Sequence, residues 1–359
     1  MDRRSKEFRV LLLGFLYCSW IYGASASIVK RVAAPKVARG LTQNLKTLPF
    51  EEGFTTLFGE NNVKVSPDGK GVKLLLDRHT GSGVVSQDLY QYGFFSASIK
   101  LPEDYTAGIV TAFYTSNAEN FEHNHDELDF EFLGNIRGKE WHVQTNVYGN
   151  GSTNFGREER YQLWFDPTED FHQYSILWTE EHIIFFVDDI PIREVIKSEA
   201  MGGQYPSKPM SVYATIWDGS EWATAGGRYK VNYKYGPFPM ELSNLRLHGC
   251  AVDPTMIKHG LSSDSSHSHC AEEDGNVPIE VVQLSEEEKA AMEWFRSRYI
   301  YYSYCDDRAR YPSQLDECPA RDPARPIATA HMRNGRHHHR HQRKRGKQNS
   351  SSATGVVSA

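Results

Sequence analysis

Acidic residues alternate with leucine and phenylalanine in the segment 125–132. The acidic positions of one parity are Glu127, Asp129 and Glu131. Successive side chains of a β-strand point to opposite faces, so a strand here would bury the apolar residues and place three carboxylates on the other face. A helix would distribute both kinds of residue around its circumference. The segment therefore predicts a β-strand that carries a row of carboxylates.

Like charges on one face of a strand repel each other, so a row of three carboxylates indicates a functional site. Their repulsion raises at least one pKa, so that one carboxyl group stays protonated near neutral pH while its neighbour is ionised. Glycoside hydrolysis needs such a pair, since one group protonates the leaving oxygen and the other attacks the sugar or activates water. We assign these roles to Glu127 and Glu131, with Asp129 tuning both. A solvated acidic strand edge and a calcium site are the alternatives.

The spacing of Glu127 and Glu131 is a geometric difficulty for this mechanism. Residues four apart on a strand have Cα atoms about 13 Å apart. Retaining chemistry requires carboxyl groups about 5–5.5 Å apart, and inverting chemistry about 6.5–9.5 Å. Two glutamate side chains that lean inward on a concave strand can close much of this gap, but the sequence leaves their separation open.

The N-terminal residues have the pattern of a secretory signal. Basic residues precede the apolar run 10–21, and Ala24-Ser25-Ala26 fits a small-residue cleavage site. The apolar run is too short to span a membrane comfortably, and a signal anchor is the alternative. We therefore expect residues 1–26 to be a signal peptide and the mature protein to be secreted, without a membrane segment.

Cleavage of this signal would remove Cys18 and leave four cysteines. An even number of cysteines in a secreted chain predicts two disulfides, for which three pairings are possible. We expect neighbours in sequence to pair, as Cys250–Cys270 and Cys305–Cys318.

Charge is distributed unevenly along the chain. The formal net charge is −6, yet the tail from Pro319 contains nine arginine or lysine residues and one aspartate. The rest of the chain is therefore acidic, which argues against a nucleic-acid partner. No GxGxxG, P-loop or GxSxG pattern supports nucleotide or serine-hydrolase chemistry. The tail composition predicts disorder. Its basic residues suggest attraction to an acidic wall polymer, which should be stronger at low pH because the histidines become charged. An inert solvated tail is the alternative.

Short apolar or alternating segments, with turn signals between them, run from Phe50 to about His248. The predicted strands include 72–76, 92–101, 109–114, 141–148, 174–178, 183–187, 192–196 and 210–217. Strands this frequent, with few helical patterns, predict an all-β sandwich or barrel. The composition changes after Cys250, and a helix is predicted to begin after Ser285, with Glu288 completing a capping box.

The run HDELDFEFLG at residues 125–134 resembles the catalytic motif of plant xyloglucan endotransglucosylase/hydrolases, in glycoside hydrolase family sixteen. Five other segments also resemble that family: WHVQTNVYGNGST, FHQYSILW, VDDIPIREV, YPSKPMSVYATIWDGSEWAT and YCDDRARYPSQLDEC. Together the six segments extend over nearly the whole mature chain up to Cys318. The basic tail and the GNGST sequence are similar to the subgroup with C-terminal extensions.

The resemblance implies an all-β, concanavalin-like jelly-roll sandwich with an open cleft on its concave face. It also implies a C-terminal extension that adds a strand and a helix and holds two disulfides. The domains expected on this basis are a signal peptide (1–26), a catalytic domain (27–248), the extension (249–318) and a basic disordered tail (319–359).

The resemblance further implies roles for individual residues. Glu127 matches the nucleophile, Asp129 the helper and Glu131 the general acid/base. The implied substrate-binding residues are His125, Gln144, Asn146, Trp217, Asp218, Gly219, Trp222, Gly227, Tyr302 and Arg310. The alternatives are core burial for the two tryptophans and ordinary exposed strand positions for Gln144 and Asn146. A metal site at His123, His125 and Asp126 is disfavoured, because Asp126 has the opposite parity.

Two sequences match the acceptor pattern for N-glycosylation. Asn150-Gly151-Ser152 lies on a predicted Asn-Gly turn shortly after the acidic strand, in the region where the family carries its glycan. Asn349-Ser350-Ser351, in the tail, is the weaker candidate.

The reaction implied by the resemblance is retaining cleavage and religation of the β-1,4-glucan backbone of xyloglucan. Donor and acceptor would both be xyloglucan, in the plant cell wall and apoplast, and neither a metal nor an organic cofactor is expected. The sequence has no obvious insertion between Trp217 and Phe238 that would suggest a hydrolase-type loop, which favours transfer. The alternatives are a hydrolase of xyloglucan or mixed-linkage glucan, and an inactive, lectin-like glucan-binding protein.

Overall fold

The computed structural model describes residues 33–37, 40–43, 45–152, 155–252 and 283–319. The chain divides into two compact units, 1–34 and 35–359, and every helix and strand given below belongs to the second. The predicted signal peptide and, after Pro319, the basic tail lie outside the described residues. Within the described ranges, no helix is long and apolar enough to cross a membrane.

The described residues form mostly β-strands, and each of the eight predicted strand segments corresponds to one of them. The strands are β1 (Phe54–Phe58), β2 (Val63–Val65), β3 (Gly71–Leu76), β4 (Ser82–Ser86), β5 (Leu89–Lys100), β6 (Ile109–Ser116), β7 (Glu127–Leu133), β8 (His142–Tyr148), β9 (Glu159–Tyr161), β10 (His172–Trp178), β11 (His182–Val187), β12 (Ile190–Ile196), β13 (Ser211–Asp218), β14 (Phe238–Val252) and β15 (Ile300–Ser303). The α-helices are α1 (Phe50–Gly53) and α2 (Glu286–Tyr299).

These strands form two antiparallel sheets, which confirms the predicted all-β sandwich. One sheet has eight strands in the order β1-β4-β13-β6-β7-β8-β9-β15, and the other has seven in the order β12-β11-β10-β5-β14-β3-β2. Strand β7, which carries the three acids, lies inside the larger sheet, hydrogen-bonded to β6 and β8. Neighbouring strands therefore extend the acidic face on both sides.

The apolar face of β7 fixes its orientation. Leu128, Phe130 and Phe132 are fully buried. The Phe130 ring packs edge-on against Tyr174 and Phe185 of the seven-stranded sheet, with ring centres 5.6 and 5.3 Å away. Burying each such side chain contributes about 1.5–3 kcal/mol. Slipping the strand by one residue would exchange its faces, so this packing holds the acids on the side away from the core.

The C-terminal extension contributes α2 and β15. Helix α2 begins with the predicted capping box: Ser285 Oγ accepts from the Glu288 backbone N–H, and Glu288 Oε2 accepts from the Ser285 backbone N–H. Strand β15 pairs with β9 and becomes the last strand of the larger sheet. The extension therefore completes the acidic sheet rather than forming a separate lobe.

One of the two predicted disulfides joins residues that the structure describes. Cys305 and Cys318 are bonded, with Cα atoms 5.6 Å apart, so this pairing is confirmed. The other predicted pairing involves Cys270, which lies outside the described residues, so Cys250–Cys270 stays a prediction.

A buried ion cluster ties the extension to the sandwich. Glu159 of β9 accepts two hydrogen bonds from Arg296 of α2, at 2.7 and 2.9 Å, and lies 3.6 Å from Arg193 of β12. Burial acts to raise the pKa of Glu159, but the charges of Arg296 and Arg193 outweigh it and hold the pKa well below its usual range. A second buried pair joins Arg157 to Glu317 at 2.6 Å. The two pairs connect β9 and the loop before it to the C-terminal extension.

Glu159→Ala should lower the free energy of unfolding by about 3–5 kcal/mol, because it leaves the buried Arg193 and the partly buried Arg296 without their counter-charge. Urea or thermal denaturation measures this loss. The exposed pair of Glu286 and Lys289 provides the control, and Glu286→Ala should cost less than about 1 kcal/mol. Equal small losses in the two variants would contradict a stabilising role of the cluster.

Candidate active site

The acids of β7 share one face, as the alternation predicts. Asp129 is buried, whereas Glu127 and Glu131 are partly exposed. We call the side of the eight-stranded sheet that carries them the acid face. Cross-strand register then places the side chains of neighbouring strands on this face, and Asn146 of β8 stands opposite Asp129.

One line of side chains crosses the acid face from Glu131 to the extension. Register pairs Glu131 with Gln144 of β8, Gln144 with Arg160 of β9, and Arg160 with Tyr302 of β15. The Gln144 amide Nε2 donates to Glu131 Oε2 at 2.5 Å. The guanidinium of Arg160 lies 5.2 Å from the centre of the Tyr302 ring, and its Nε donates to Glu158. The extension is thus placed at one end of the line that contains Glu131.

Glu127 and Asp129 are hydrogen-bonded to each other and differ in environment. Burial raises the pKa of Asp129 well above its usual range, and the charges of Glu127 and Glu131 raise it further. Burial also raises the pKa of Glu127 to about 7, with the charge of Glu131 adding to it, while hydrogen bonds with Ser116 and Asp129 lower it. Because the pKa of Asp129 is raised further than that of Glu127, we expect Asp129 to hold the proton of the pair and to donate it in a hydrogen bond to Glu127.

Trp217 and Trp222 lie together at the end of β13. Register pairs Trp217 with Val110 and Val110 with Leu133, which shares the parity of the acids, so Trp217 belongs to the acid face. The two indole rings have centres 5.9 Å apart and both side chains are partly exposed. They pack in a small cluster around Val110 and Leu133, separate from the main core. Both tryptophans are therefore partly buried beside the acid face, and their contact with substrate stays a prediction.

Four other residues implied by the resemblance are more enclosed. His125 precedes β7 and is buried, as is Tyr302. Asn146 is also buried, and its Nδ2 donates to Tyr148 Oη at 2.6 Å. Arg310 is partly buried, and its guanidinium lies 3.9 Å from the Glu158 carboxylate. Register places Asn146 opposite Asp129, whereas His125 lies two residues before β7 and is not part of the strand register. Tyr302 and Arg310 lie in the extension.

Comparison with known families agrees with this geometry. A model described as Glycosyl hydrolases family 16 matches residues 50–235, and one described as Xyloglucan endo-transglycosylase (XET) C-terminus matches residues 268–318. The chain is 59% identical over 276 residues to "Probable xyloglucan endotransglucosylase/hydrolase protein 27" of Arabidopsis thaliana, which covers 77% of this chain and 80% of the relative. The chain belongs to the xyloglucan endotransglucosylase/hydrolases of glycosyl hydrolases family 16.

A second Arabidopsis thaliana relative extends over almost the full length of this family 16 chain. "Probable xyloglucan endotransglucosylase/hydrolase protein 29" is 47% identical over 352 residues, which is 96% of this chain and 98% of the relative. Among solved structures, the chain is similar to a Bacillus licheniformis beta-glucanase, with 24% identity, a TM-score of 0.43, and coverage of 54% of this chain and 91% of the other. The two family models and the two Arabidopsis thaliana relatives confirm the family resemblance expected from the sequence.

Three further residues implied by the resemblance shape the loop after β13. Asp218 accepts hydrogen bonds from the loop backbone and, at 2.6 Å, from Tyr233 Oη. Gly219 approaches β6 so closely that a Cβ would lie 2.5 Å from Val110 Cγ2, and Gly227 has a φ of +82°. These contacts hold the loop that carries Trp222 in shape. A direct contact of any of the three with substrate stays a prediction.

Sequence reasoning missed residues that reach the acids from other strands of this family 16 domain. Ser116 of β6 stands opposite Glu127 and hydrogen-bonds its carboxyl group. Tyr114 and Tyr213 stack with ring centres 4.9 Å apart, in the cross-strand row of Asp129. The sequence predicts strands over 109–114 and 210–217, but only the register between strands shows which of their residues face the acids.

The predicted Asn-Gly turn is present after β8. Asn150 and Gly151 have φ angles of +53° and +75°, and the Ser152 backbone N–H donates to the Gly149 carbonyl at 3.1 Å. The Asn150 side chain is exposed. The first acceptor sequence thus lies on an accessible turn, and Asn349 lies outside the described residues.

The raised pKa values predict a pH-dependent stability. Folding raises the pKa of Asp129, so its contribution to stability is complete below about pH 4 and is lost as the pH rises towards the folded-state pKa. Asp129→Asn has no carboxyl group to ionise, so it removes this pH-dependent loss of stability, and its amide still provides a hydrogen-bond donor for Glu127. The stability of the variant relative to wild type should therefore increase from pH 4 to pH 7, by about 1–3 kcal/mol. Urea denaturation across this range measures it, and a difference that is constant with pH would contradict the raised pKa.

Proposed function

We propose that this chain is a retaining, endo-acting xyloglucan:xyloglucosyl transferase that cleaves and religates the β-1,4-glucan backbone of xyloglucan. The observation that carries the proposal is the difference between the two outer carboxyl groups of β7. Glu127 is hydrogen-bonded to the proton-holding Asp129, whereas Glu131 accepts from the Gln144 amide. Double displacement requires two carboxyl groups with such different environments.

In the first step, a Glu127 oxygen attacks the anomeric carbon of a glucosyl unit and forms a glycosyl ester. The bond from that carbon to the leaving oxygen breaks, and Glu131 gives its proton to this oxygen. The shortened xyloglucan chain then leaves with a new 4-hydroxyl end. Asp129, as a hydrogen-bond donor, keeps negative charge on Glu127 before the attack.

In the second step, Glu131 acts as a base. It takes the proton from the 4-hydroxyl of a xyloglucan acceptor, whose oxygen attacks the anomeric carbon and releases the Glu127 carboxylate. The number of glycosidic bonds is unchanged. Attack by water instead of the acceptor would hydrolyse the chain.

The line from Glu131 to the extension supports preference for a sugar acceptor. Gln144 is buried, and its Oε1 has no hydrogen-bond partner within the described protein, so it can accept from a sugar hydroxyl beside Glu131. Arg160, Tyr302 and Arg310 continue the line into the extension. Binding energy from acceptor sugars along such a line can favour their hydroxyl over the far more concentrated water.

Trp217 and Trp222 are proposed to stack on sugar rings, because aromatic faces at the edge of a cleft bind the apolar faces of pyranoses. The remaining implied binding residues are His125, Asn146, Asp218, Gly219 and Gly227. No metal or organic cofactor takes part in the proposed steps.

We propose the boundaries 1–26, 27–248, 249–318 and 319–359 for signal peptide, catalytic domain, extension and tail. The signal pattern and the exposed turn at Asn150 support a secreted glycoprotein that acts in the cell wall and apoplast. Attraction of the basic tail to an acidic wall polymer is proposed on its charge alone.

The deciding experiment mixes the secreted, glycosylated protein with xyloglucan polymer and a labelled xyloglucan oligosaccharide. Label entering the polymer and new reducing ends are followed together, with Glu127→Ala as the control. Label incorporation with a constant number of reducing ends is the expected result. New reducing ends with little label would make the protein a hydrolase, and glucan binding without either product would support the lectin-like alternative.

A further inference from the structure

Asp126, which directly precedes the proposed nucleophile, is a fully buried carboxylate with a complete set of donors. Its Oδ1 accepts from the Asn150 backbone N–H and from Lys208 Nζ, both at 2.7 Å. Its Oδ2 accepts from the backbone N–H groups of Ser207 and Lys208, at 2.8 and 2.9 Å. The buried charge is thus paired and satisfied, as burial of a carboxylate requires.

The four donors come from two segments that are distant in sequence. One is the turn after β8, which is also held by a hydrogen bond of 2.8 Å from the Gly151 backbone N–H to the His125 carbonyl. The other is the loop that leads into β13. Asp126 therefore joins the start of β7 to the connections of β8 and β13, the strands that carry Asn146 and Trp217.

The turn after β8 packs closely against both the chain before β7 and the loop before β13. A Cβ on Gly151 would lie 2.1 Å from the His123 carbonyl oxygen, and a Cβ on Gly149 would lie 1.9 Å from the Gln204 carbonyl oxygen. The backbone of Asp126 is fixed as well, since its N–H donates to Asn117 Oδ1 at 2.8 Å. The peptide immediately before Glu127 is thus held from three directions.

We propose that Asp126 is a positioning residue for Glu127, and that through it the backbone of the turn at Asn150 becomes part of the scaffold of the active site. The inference rests on the proposed function, because it assigns to Asp126 the placement of the nucleophile named there. Asp126 faces away from the acids, towards Lys208 and the two loops, so it has no contact with substrate and acts only through the backbone of the next residue.

Asp126→Asn tests the proposal with little change in volume. In this variant an amide nitrogen replaces one carboxylate oxygen, which accepts two hydrogen bonds in the wild type, so donors would face a donor. Lys208 would also lose its counter-charge. Displacement of Glu127 should lower kcat about ten- to a hundredfold, while KM for donor and for acceptor stays within about twofold. Rates are measured below the unfolding transition and divided by the folded fraction from circular dichroism.

The control is Asp189→Asn. Asp189 is a partly buried turn carboxylate, which accepts from Thr42 Oγ1 at 2.7 Å and lies at the end of a strand pair of the other sheet. It should lose stability but keep kcat per folded molecule. A merely structural role of Asp126 would give the same result as this control, with lowered stability and unchanged kcat, and that result would overturn the proposal.

A second pair of variants separates the backbone of the turn from its glycan. Asn150→Gly removes the acceptor asparagine and keeps both the positive φ and the N–H donor to Asp126, so kcat should stay within about twofold. Gly151→Ala keeps the acceptor sequence but places a Cβ against the His123 carbonyl, so kcat should fall as in Asp126→Asn. A loss in Asn150→Gly alone would overturn the proposal in favour of the glycan.

Failure of the inference and failure of the proposed function are distinguishable. Wild-type protein that transfers label, together with an Asp126→Asn variant of normal kcat, rejects only the inference. If the wild-type protein shows neither transfer nor hydrolysis, the proposed function itself is rejected, and with it the basis of the inference.

Discussion

Glu127→Ala is expected to abolish turnover, with a fall in the transfer rate of about four to six orders of magnitude. Without the carboxylate, no glycosyl ester can form, and a methyl group cannot activate water in its place. The measurement is label incorporation into xyloglucan polymer by the purified variant, compared with wild type at equal folded concentration.

The same variant should keep its fold and its binding of glucan. Glu127 is a carboxyl group whose pKa is raised by burial and by Glu131, so its removal relieves a cost at neutral pH and should not lower the melting temperature. Glu119→Ala, an exposed acid in the loop before β7, is the matched control and should retain full activity. Residual turnover of a few per cent in Glu127→Ala would reject its assignment as the nucleophile.

The fold and the acid row were predictable because their signals are local. Alternation with a period of two over Glu127 to Phe132 specifies both the strand and its faces, and the capping box at Ser285 specifies a helix start within four residues. Each signal involves neighbours in sequence, whose relative geometry is fixed by the backbone alone. The structure confirms both.

Contacts between distant segments were not predictable in the same way. Ser116 reaches Glu127 only because β6 and β7 pair in one register, and Asp126 meets Lys208 across 82 positions of the chain. From sequence, Asp126 had the wrong parity for the acid row and no evident role. Core burial was the alternative for Trp217, and only its register with Val110 places it on the acid face. Such choices require knowledge of strand order, which no local pattern contains.

Glu131→Ala should separate two kinds of donor. With xyloglucan, whose leaving group is a poor sugar alkoxide, loss of the general acid should lower kcat/KM by about 10²–10⁴-fold. With an activated aryl glycoside of a xyloglucan oligosaccharide, the leaving group needs no proton, so formation of the glycosyl ester should be nearly unaffected. Steady-state and burst kinetics on the two donors measure the difference, and equal losses on both would contradict an acid role for Glu131.

The second step should reveal the base function of the same residue. In Glu131→Ala the glycosyl ester formed from the activated donor should accumulate, since no base remains to deprotonate the acceptor. Azide, an anion that needs no base, should restore turnover and give a glycosyl azide with retained configuration. Gln144→Ala is the matched control, because it keeps the Glu131 carboxyl group and should show no rescue by azide.

Removing Glu131 should also change the pH dependence of the first step. Glu127 must be ionised to attack, and its pKa is raised by burial and by the charge of Glu131. Without that charge the pKa of Glu127 falls, so the acidic limb of kcat/KM for the activated donor should move to lower pH. Gln144→Ala leaves the charge in place and should keep the limb near the wild-type position. If the acidic limb of kcat/KM did not move in Glu131→Ala, the charge of Glu131 would not affect the pKa of Glu127. The two carboxyl groups would then lack the coupled titration that double displacement requires of them.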